Sequence, residues 1–198
     1  PGIAAMLEEA GIEPGQVDGG TIGYVLGPRL NAAGRLGDAV ESYNLLMASS
    51  SEEAAELAQR LGAQNRERQR LTNEMVKHAR SQVSEVEDDW IYVLDSPMYQ
   101  AGIAGLIASR IKEKFYHPTL VIAREDGQSR GSARSIKGFH ITQALEECSD
   151  LLVRFGGHAM AAGCTVRNDK IDALRSRLRE ITARQLTTSD LVQPVRID

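Results

Sequence analysis

Three short segments of this sequence set glycine beside arginine, serine or histidine, a composition suited to holding a phosphate. The first is GPRLNAAGRLG, residues 27–37. Backbone amides come close to a ligand where there is no Cβ, and the planar forks of Arg29 and Arg35, with Asn31 between them, match phosphate oxygens. The same residues serve equally well as a tight interdomain turn with Arg29 and Arg35 in structural ion pairs. The second is RGSARS, residues 130–135. On a strand, the period of two puts Ser132 and Arg134 on one face and Gly131, Ala133 and Ser135 on the other. A Ser-x-Arg face suits a terminal phosphate; the simpler account on these residues alone is a solvent-facing edge strand. The third is GGHAMAAG, residues 156–163. Gly156 and Gly157 before His158, followed by small residues, permit close backbone approach. His158 can then hydrogen-bond a phosphate oxygen or donate a proton. A lone histidine is more often structural, but the glycine pair tips this one toward function.

Other chemistry is thinly represented. Neither GxxxxGK[ST] nor GxGxxG occurs, so these glycines are not a Walker loop or a dinucleotide fingerprint. His78 is expected on a helix surface, His117 in a turn beside Pro118, and His140 at a helix start as a cap. Glu85, Glu87, Asp88 and Asp89 form an acidic run better suited to solvating a helix end than to binding metal. No segment supplies the converging Asp, Glu and His side chains of a two-metal nuclease centre. Cys148 and Cys164 form no CxxC pair, which argues against zinc or a disulfide framework and for a reducing cytoplasm.

The elements that must carry these motifs follow from hydrophobic period. Residues 2–12 read as a short helix, 27–37 as a loop or a broken helical turn because of Pro28 and three glycines, and 38–48 as a helix. Residues 51–86 read as one long, partly exposed connector helix, opened by Ser51, Glu52 and Glu53 and striped by Leu57, Leu61, Leu71, Met75, Ala79 and Val83. Beyond it strands are expected at 90–95, 119–123, 128–135 and 159–166, with a turn at 125–127, and helices at 103–115, 140–147 and 169–183. From Gln185 the tail is polar and extended. The class is α/β: a small mixed sheet flanked by helices. The 198 residues and formal net charge of −4 exclude a uniformly basic nucleic-acid coat, while leaving room for a local basic groove. No stretch is long and apolar enough for a membrane span. The start at Pro1 rather than Met points to a fragment.

Taken in order and spacing, GPRLNAAGRLGDA (27–39), GIAGLIASRIKEKFYHPTLVIA (102–123), RGSARSIKGFH (130–140) and FGGHAMAAG (155–163) resemble RecJ, a family of single-strand-specific DNA exonucleases in the DHH phosphoesterase superfamily. GIAAMLEEAGI and LAQRLGAQNRERQRL resemble the flanking RecJ segments. GGHxxAAG alone would indicate only a DHHA1 domain. The resemblance implies a layout: 1–50 as the end of a DHH domain, 51–86 as connector helix, 87–184 as DHHA1 domain, and 185–198 as a linker toward an oligonucleotide-binding fold. It implies 5′ to 3′ hydrolysis of single-stranded DNA by two Mn2+ or Mg2+ ions, bound by a DHH domain absent here, so that no metal ligand is assigned in this chain. In that family pattern Arg29 and Asn31 face the active-site phosphates. Ser132 and Arg134 hold the 5′-terminal phosphate, Gly156, Gly157 and the catalytic candidate His158 close on the nucleotide, and Arg110 supports the groove. The fragment alone is expected to be inactive. Expected partners are single-stranded DNA with a 5′-phosphate and, beyond it, single-strand-binding protein and a helicase; repair and recombination are the expected processes. Tyr99-Gln100 departs from the Trp-His of many bacterial relatives, which puts a titrating role there in doubt. The competing readings are a phosphodiesterase of short oligonucleotides or cyclic dinucleotides, and a non-catalytic RecJ-like replication scaffold.

Overall fold

The computed structural model describes residues 1–84 and 89–194. The chain divides into two compact units, Pro1–Asn73 and Glu74–Asp198.

The first unit is helical. Helix α1 spans Gly2–Glu9, α2 Gly27–Leu36, α3 Val40–Met47, and α4 Ser51–Ser84, whose first half packs here. Met6, Leu7, Leu26, Ala33, Leu45, Ala54, Leu57, Ala58 and Leu61 form its core. Residues 27–36 are a helix rather than the expected loop. Pro28 sits in the first turn, where a missing N–H costs nothing. The turn before it, Thr21–Leu26, is wound as a π-helix with the Gly27 amide bonding back to Ile22 O, and this wider turn gives the proline ring room. Of the expected connector, residues 85 and 86 lie outside the described residues.

Glu9 organises a partly buried charge cluster in this unit. Its side chain, 9% exposed, accepts from Arg29 Nε at 2.8 Å and Arg66 Nη1 at 2.6 Å. Gly62 makes the space: a Cβ there would lie 2.0 Å from Glu9 Oε1. Burial raises the Glu9 pKa, but the hydrogen bonds and charges of Arg29 and Arg66 outweigh it, and the net value lies below the ordinary 4.5. A carboxylate depressed on folding contributes stability that is complete above its unfolded pKa and lost as pH falls through the folded one. Glu9→Gln is therefore expected to lower stability at pH 7 by about 1–3 kcal/mol. The gap to wild type should narrow on acidification below about pH 4.5, and urea midpoints at pH 7 and pH 3.5 measure it. An equal gap at both values would remove the ionic explanation.

The second unit is a five-stranded sheet of order β1-β2-β3-β5-β4: β1 Tyr92–Ser96, β2 Thr119–Ala123, β3 Gln128–Arg134, β4 Leu152–His158 and β5 Ala161–Arg167. β1 and β2 are parallel and joined by helix α5, Ala101–Phe115; all other pairs are antiparallel. Period two sorts the faces. Leu120, Ile122, Ala133, Ala162, Cys164 and Val166 join Ile141 and Leu145 of α6 (Ile141–Glu146) and Leu174, Leu178 and Ile181 of α7 (Ile171–Gln185) in one core. Thr119, Val121 and Ala123 alternate to the opposite face, where α5 packs on β2 and β3. Both faces of β2 are thus covered, and it is buried throughout.

Two details differ from expectation. A strand, β4, occupies 152–158 where none was expected. His78 is half-buried rather than on the surface: its Nδ1 lies 3.0 Å from the Tyr99 hydroxyl, which donates to Gln82 Oε1 at 2.7 Å. His140 does cap α6, accepting from the Gln143 amide. Of the acidic run, 85–88 lie outside the described residues, and Asp89 pairs with Arg179. No described helix is long and apolar enough to cross a membrane.

Candidate phosphate-binding cleft

The face of the sheet that carries α5 is only partly covered. Beyond β3 it opens over β5 and β4, so the start of α5 forms a wall and three strands form a floor. The cleft, about 400 Å3, is lined by Ala101 and Gly102 on the wall and by Arg130, Ser132, Arg154, Gly156 and Gly163 on the floor.

Strand register sets what the floor presents. Ser132 pairs with Gly163, which pairs with Gly156; Arg134 pairs with Ala161, which pairs with His158; Arg130 pairs with Thr165, which pairs with Arg154. Because these residues alternate in step, all three cross-strand rows face the same way. The middle row is a glycine floor with one hydroxyl. One flanking row, with Arg130 and Arg154, lines the cleft; the other carries Arg134 and His158 on the same face of the sheet but outside the cleft lining. Ser129, Gly131 and Ala133 point into the core, as the alternation of β3 predicts.

The glycines fall into two kinds. Gly131 and Gly157 are structural: a Cβ on Gly131 would lie 2.7 Å from Cys164 Sγ, and one on Gly157, at φ 150°, only 2.4 Å from Ala161 O. Gly156 would meet nothing within 4 Å and Gly163 only the Gly131 carbonyl at 3.7 Å. The fold makes no demand for glycine at these two positions, and a side chain there would fill only the cleft.

Each expected site residue can now be placed. Ser132, Arg134, Gly156 and His158 come together on this face. His158 is exposed, and its carbonyl accepts from Thr142 Oγ1 at 2.7 Å, which fixes the backbone under the imidazole. Arg134 Nη1 donates to Ala133 O at 2.8 Å, and a Cβ on Gly105 of α5 would lie 2.8 Å from Arg134 Nη2, so a small residue in α5 makes room for this guanidinium. Arg110 is exposed on α5 and outside the cleft lining. Tyr99 is buried under the start of α5, its hydroxyl pushed well above its usual pKa by burial and by Asp95; it packs rather than lines the cleft.

Arg29 and Asn31 belong to the other unit. With 27–36 helical, residues two apart point about 200° apart, so these two do not share a face. Arg29 is engaged with Glu9, and its Nη1 donates to Val25 O at 3.1 Å; Asn31 is exposed. The ion-paired alternative is what the structure shows for Arg29.

Arg130, Arg154 and Thr165 were missed as cleft residues. Arg154 Nε donates to Thr165 Oγ1 at 3.1 Å, and Arg130 is paired with Glu125 Oε1. Reading 152–158 as a strand would have put Arg154, Gly156 and His158 on one face. Cys164 and Cys148 are not nucleophiles here: burial pushes their thiols up to about 12 and about 11. Among the described residues no group of three His, Cys, Asp or Glu side chains fits a metal ion.

The DHHA1 domain family model matches residues 87–184. The chain is 38% identical over 200 residues to the single-stranded-DNA-specific exonuclease RecJ of Bacillus subtilis, covering 100% of this chain and 25% of the relative. It is 37% identical over 199 residues to that of Escherichia coli, covering 96% and 34%. The crystal structure of RecJ in complex with Mg2+ from Thermus thermophilus matches with a TM-score of 0.85 at 30% identity, over 98% of this chain and 30% of that one. The chain thus spans about a quarter to a third of the relatives it matches. Over residues 87–184 it belongs to the DHHA1 domain family, and along its length it corresponds to the part of RecJ that carries that domain.

Proposed function

We propose that this chain is the strand-holding part of a single-strand-specific 5′ to 3′ DNA exonuclease, with residues 1–50 ending a DHH domain, 51–86 as connector and 185–198 leading toward an oligonucleotide-binding fold. The observation that carries this reading is the cleft floor: a row of Ser132 and two glycines without a structural need to be glycine, flanked on both sides by cationic or hydrogen-bonding side chains. Ser132 and Arg134 take the 5′-terminal phosphate through charge-assisted hydrogen bonds. Gly156 lets the nucleotide approach the backbone, Gly157 holds the strand course that this requires, and His158 hydrogen-bonds a phosphate oxygen or hands it a proton.

Manganese or magnesium ions would activate the attacking water when bound. On this reading the ions are held by a DHH domain outside this chain, and this chain's part is to bind and orient the strand. Single-strand-binding protein and a helicase are the partners, and repair and recombination in a reducing cytoplasm the setting, that this reading brings.

The test uses the intact protein: digestion of a long 5′-phosphorylated single strand with Mn2+, products sized over time. Mononucleotides released from the 5′ end, with duplex spared, are expected. Survival of the long strand would overturn the exonuclease reading and leave short-oligonucleotide hydrolysis or a scaffold.

A further inference from the structure

The third row of the cleft has no part in holding a terminal phosphate at Ser132 and Arg134. It lies two residues along β3 from Ser132, about 7 Å away. Arg130 and Arg154 stand on β3 and β4 with Thr165 of β5 between them, their Cα atoms about 10 Å apart across two strand spacings. Two arginines at that separation reach a common anion from opposite sides, and Thr165 already orients one of them through its hydroxyl. The row is open as well as charged, since Arg130, Arg154 and Thr165 line both the central cleft and its continuation toward Glu125, Gln128 and Val153. Among the described residues lining that continuation, Glu125 is the carboxylate that faces Arg130. The pair is solvent-exposed, 57% and 44%, so a phosphate can displace it at little cost.

We propose that Arg130, Arg154 and Thr165 form a second phosphate subsite, which holds an internal phosphodiester of the same strand whose end lies at Ser132 and Arg134. This rests on the strand-holding reading above. The site would make retention depend on chain length: a mononucleotide product, with one phosphate, fills one row and leaves, whereas an oligonucleotide is gripped at two.

The experiment measures binding by the intact protein, without divalent metal, of a fluorescent 5′-phosphorylated single strand across a salt series. Wild type, Arg154→Gln and Glu125→Gln are compared, and each is also titrated with strands carrying one neutral methylphosphonate at successive positions. In Arg154→Gln affinity should fall roughly tenfold, and the slope of log affinity against log salt should drop by about 0.7, one single-strand phosphate contact. Glu125→Gln, with the competitor gone, should bind more tightly. In wild type one internal methylphosphonate position should weaken binding, and that same position should become silent in Arg154→Gln. Unchanged affinity and slope in Arg154→Gln, or an equal penalty at every position in both proteins, would overturn the second subsite alone. Failure of the wild-type protein to bind the strand at all would overturn the strand-holding reading with it.

Discussion

In the intact protein, replacing Arg134 by alanine is expected to abolish the preference for a 5′-phosphorylated end, with duplex still spared. Arg134 shares a cross-strand row with His158, two residues along β3 from Ser132 on the same face, and α5 keeps Gly105 where a larger residue would push its guanidinium away. A hydrogen bond to a charged group in such a setting contributes about 1.5–3 kcal/mol, roughly 10- to 150-fold in kcat/KM. The loss should appear with phosphorylated ends only. Ends with a 5′-hydroxyl, which never made the contact, should be cut at an unchanged rate. Thermal unfolding separates this from damage, because Arg134 is half-buried and its removal leaves the core residues of β3 in place. If both kinds of end slow together by the same factor, Arg134 orients the strand generally and does not read the terminus.

The largest structural effect should come from two adjacent glycines that respond in opposite ways. Gly157→Ala adds a methyl 2.4 Å from Ala161 O and 2.5 Å from Ala162 Cα, on backbone at φ 150° that L residues rarely adopt. Neither neighbour can yield without breaking the β4–β5 pairing, so a loss above about 2 kcal/mol of stability is expected. Gly156→Ala meets nothing within 4 Å, so its melting temperature should stay close to wild type while strand binding falls, since the methyl projects into the cleft. Circular dichroism melts and strand binding on the pair of variants decide it. Equal stability loss in both would mean that the cleft glycines serve packing and not access.

How much of this was legible in the sequence depended on whether the signal was local. α5, β2 and β3 were readable because their alternation is carried by their own residues, and the period of two on β3 correctly put Ser132 and Arg134 on one face. β4 was not readable. It is an exposed edge strand with two glycines and a single β-branched residue, Val153, so it shows no clear alternation, and only pairing with β5 makes it a strand. With β4 hidden, Arg154 could not be aligned with Arg130, since cross-strand register is written in no single segment. The helix at 27–36 was misread because Pro28 and three glycines look like breakers. Their positions matter more than their number: the proline lies in the first turn, and Gly37 just past the end. That helix also separated Arg29 from Asn31, which a loop would have left free to converge.

The two-residue connection between β4 and β5 sets a rule for how this protein can change. β4 is exposed along nearly its whole length, so no buried apolar face pins its register. What pins it is the turn at Ala159 and Met160, held at both ends: the Met160 carbonyl accepts from Ser135 N at 2.9 Å and the Ala159 carbonyl from Ile141 N at 3.1 Å. An insertion of one residue in this turn would reverse the parity of β4, sending Arg154, Gly156 and His158 to the far face while leaving the core almost untouched. Such a chain would fold, and its cleft would keep Ser132 and Arg130 of β3 but lose the β4 side of its floor. Length variation is therefore forbidden at Ala159 and Met160, where spacing rather than side-chain identity carries the function.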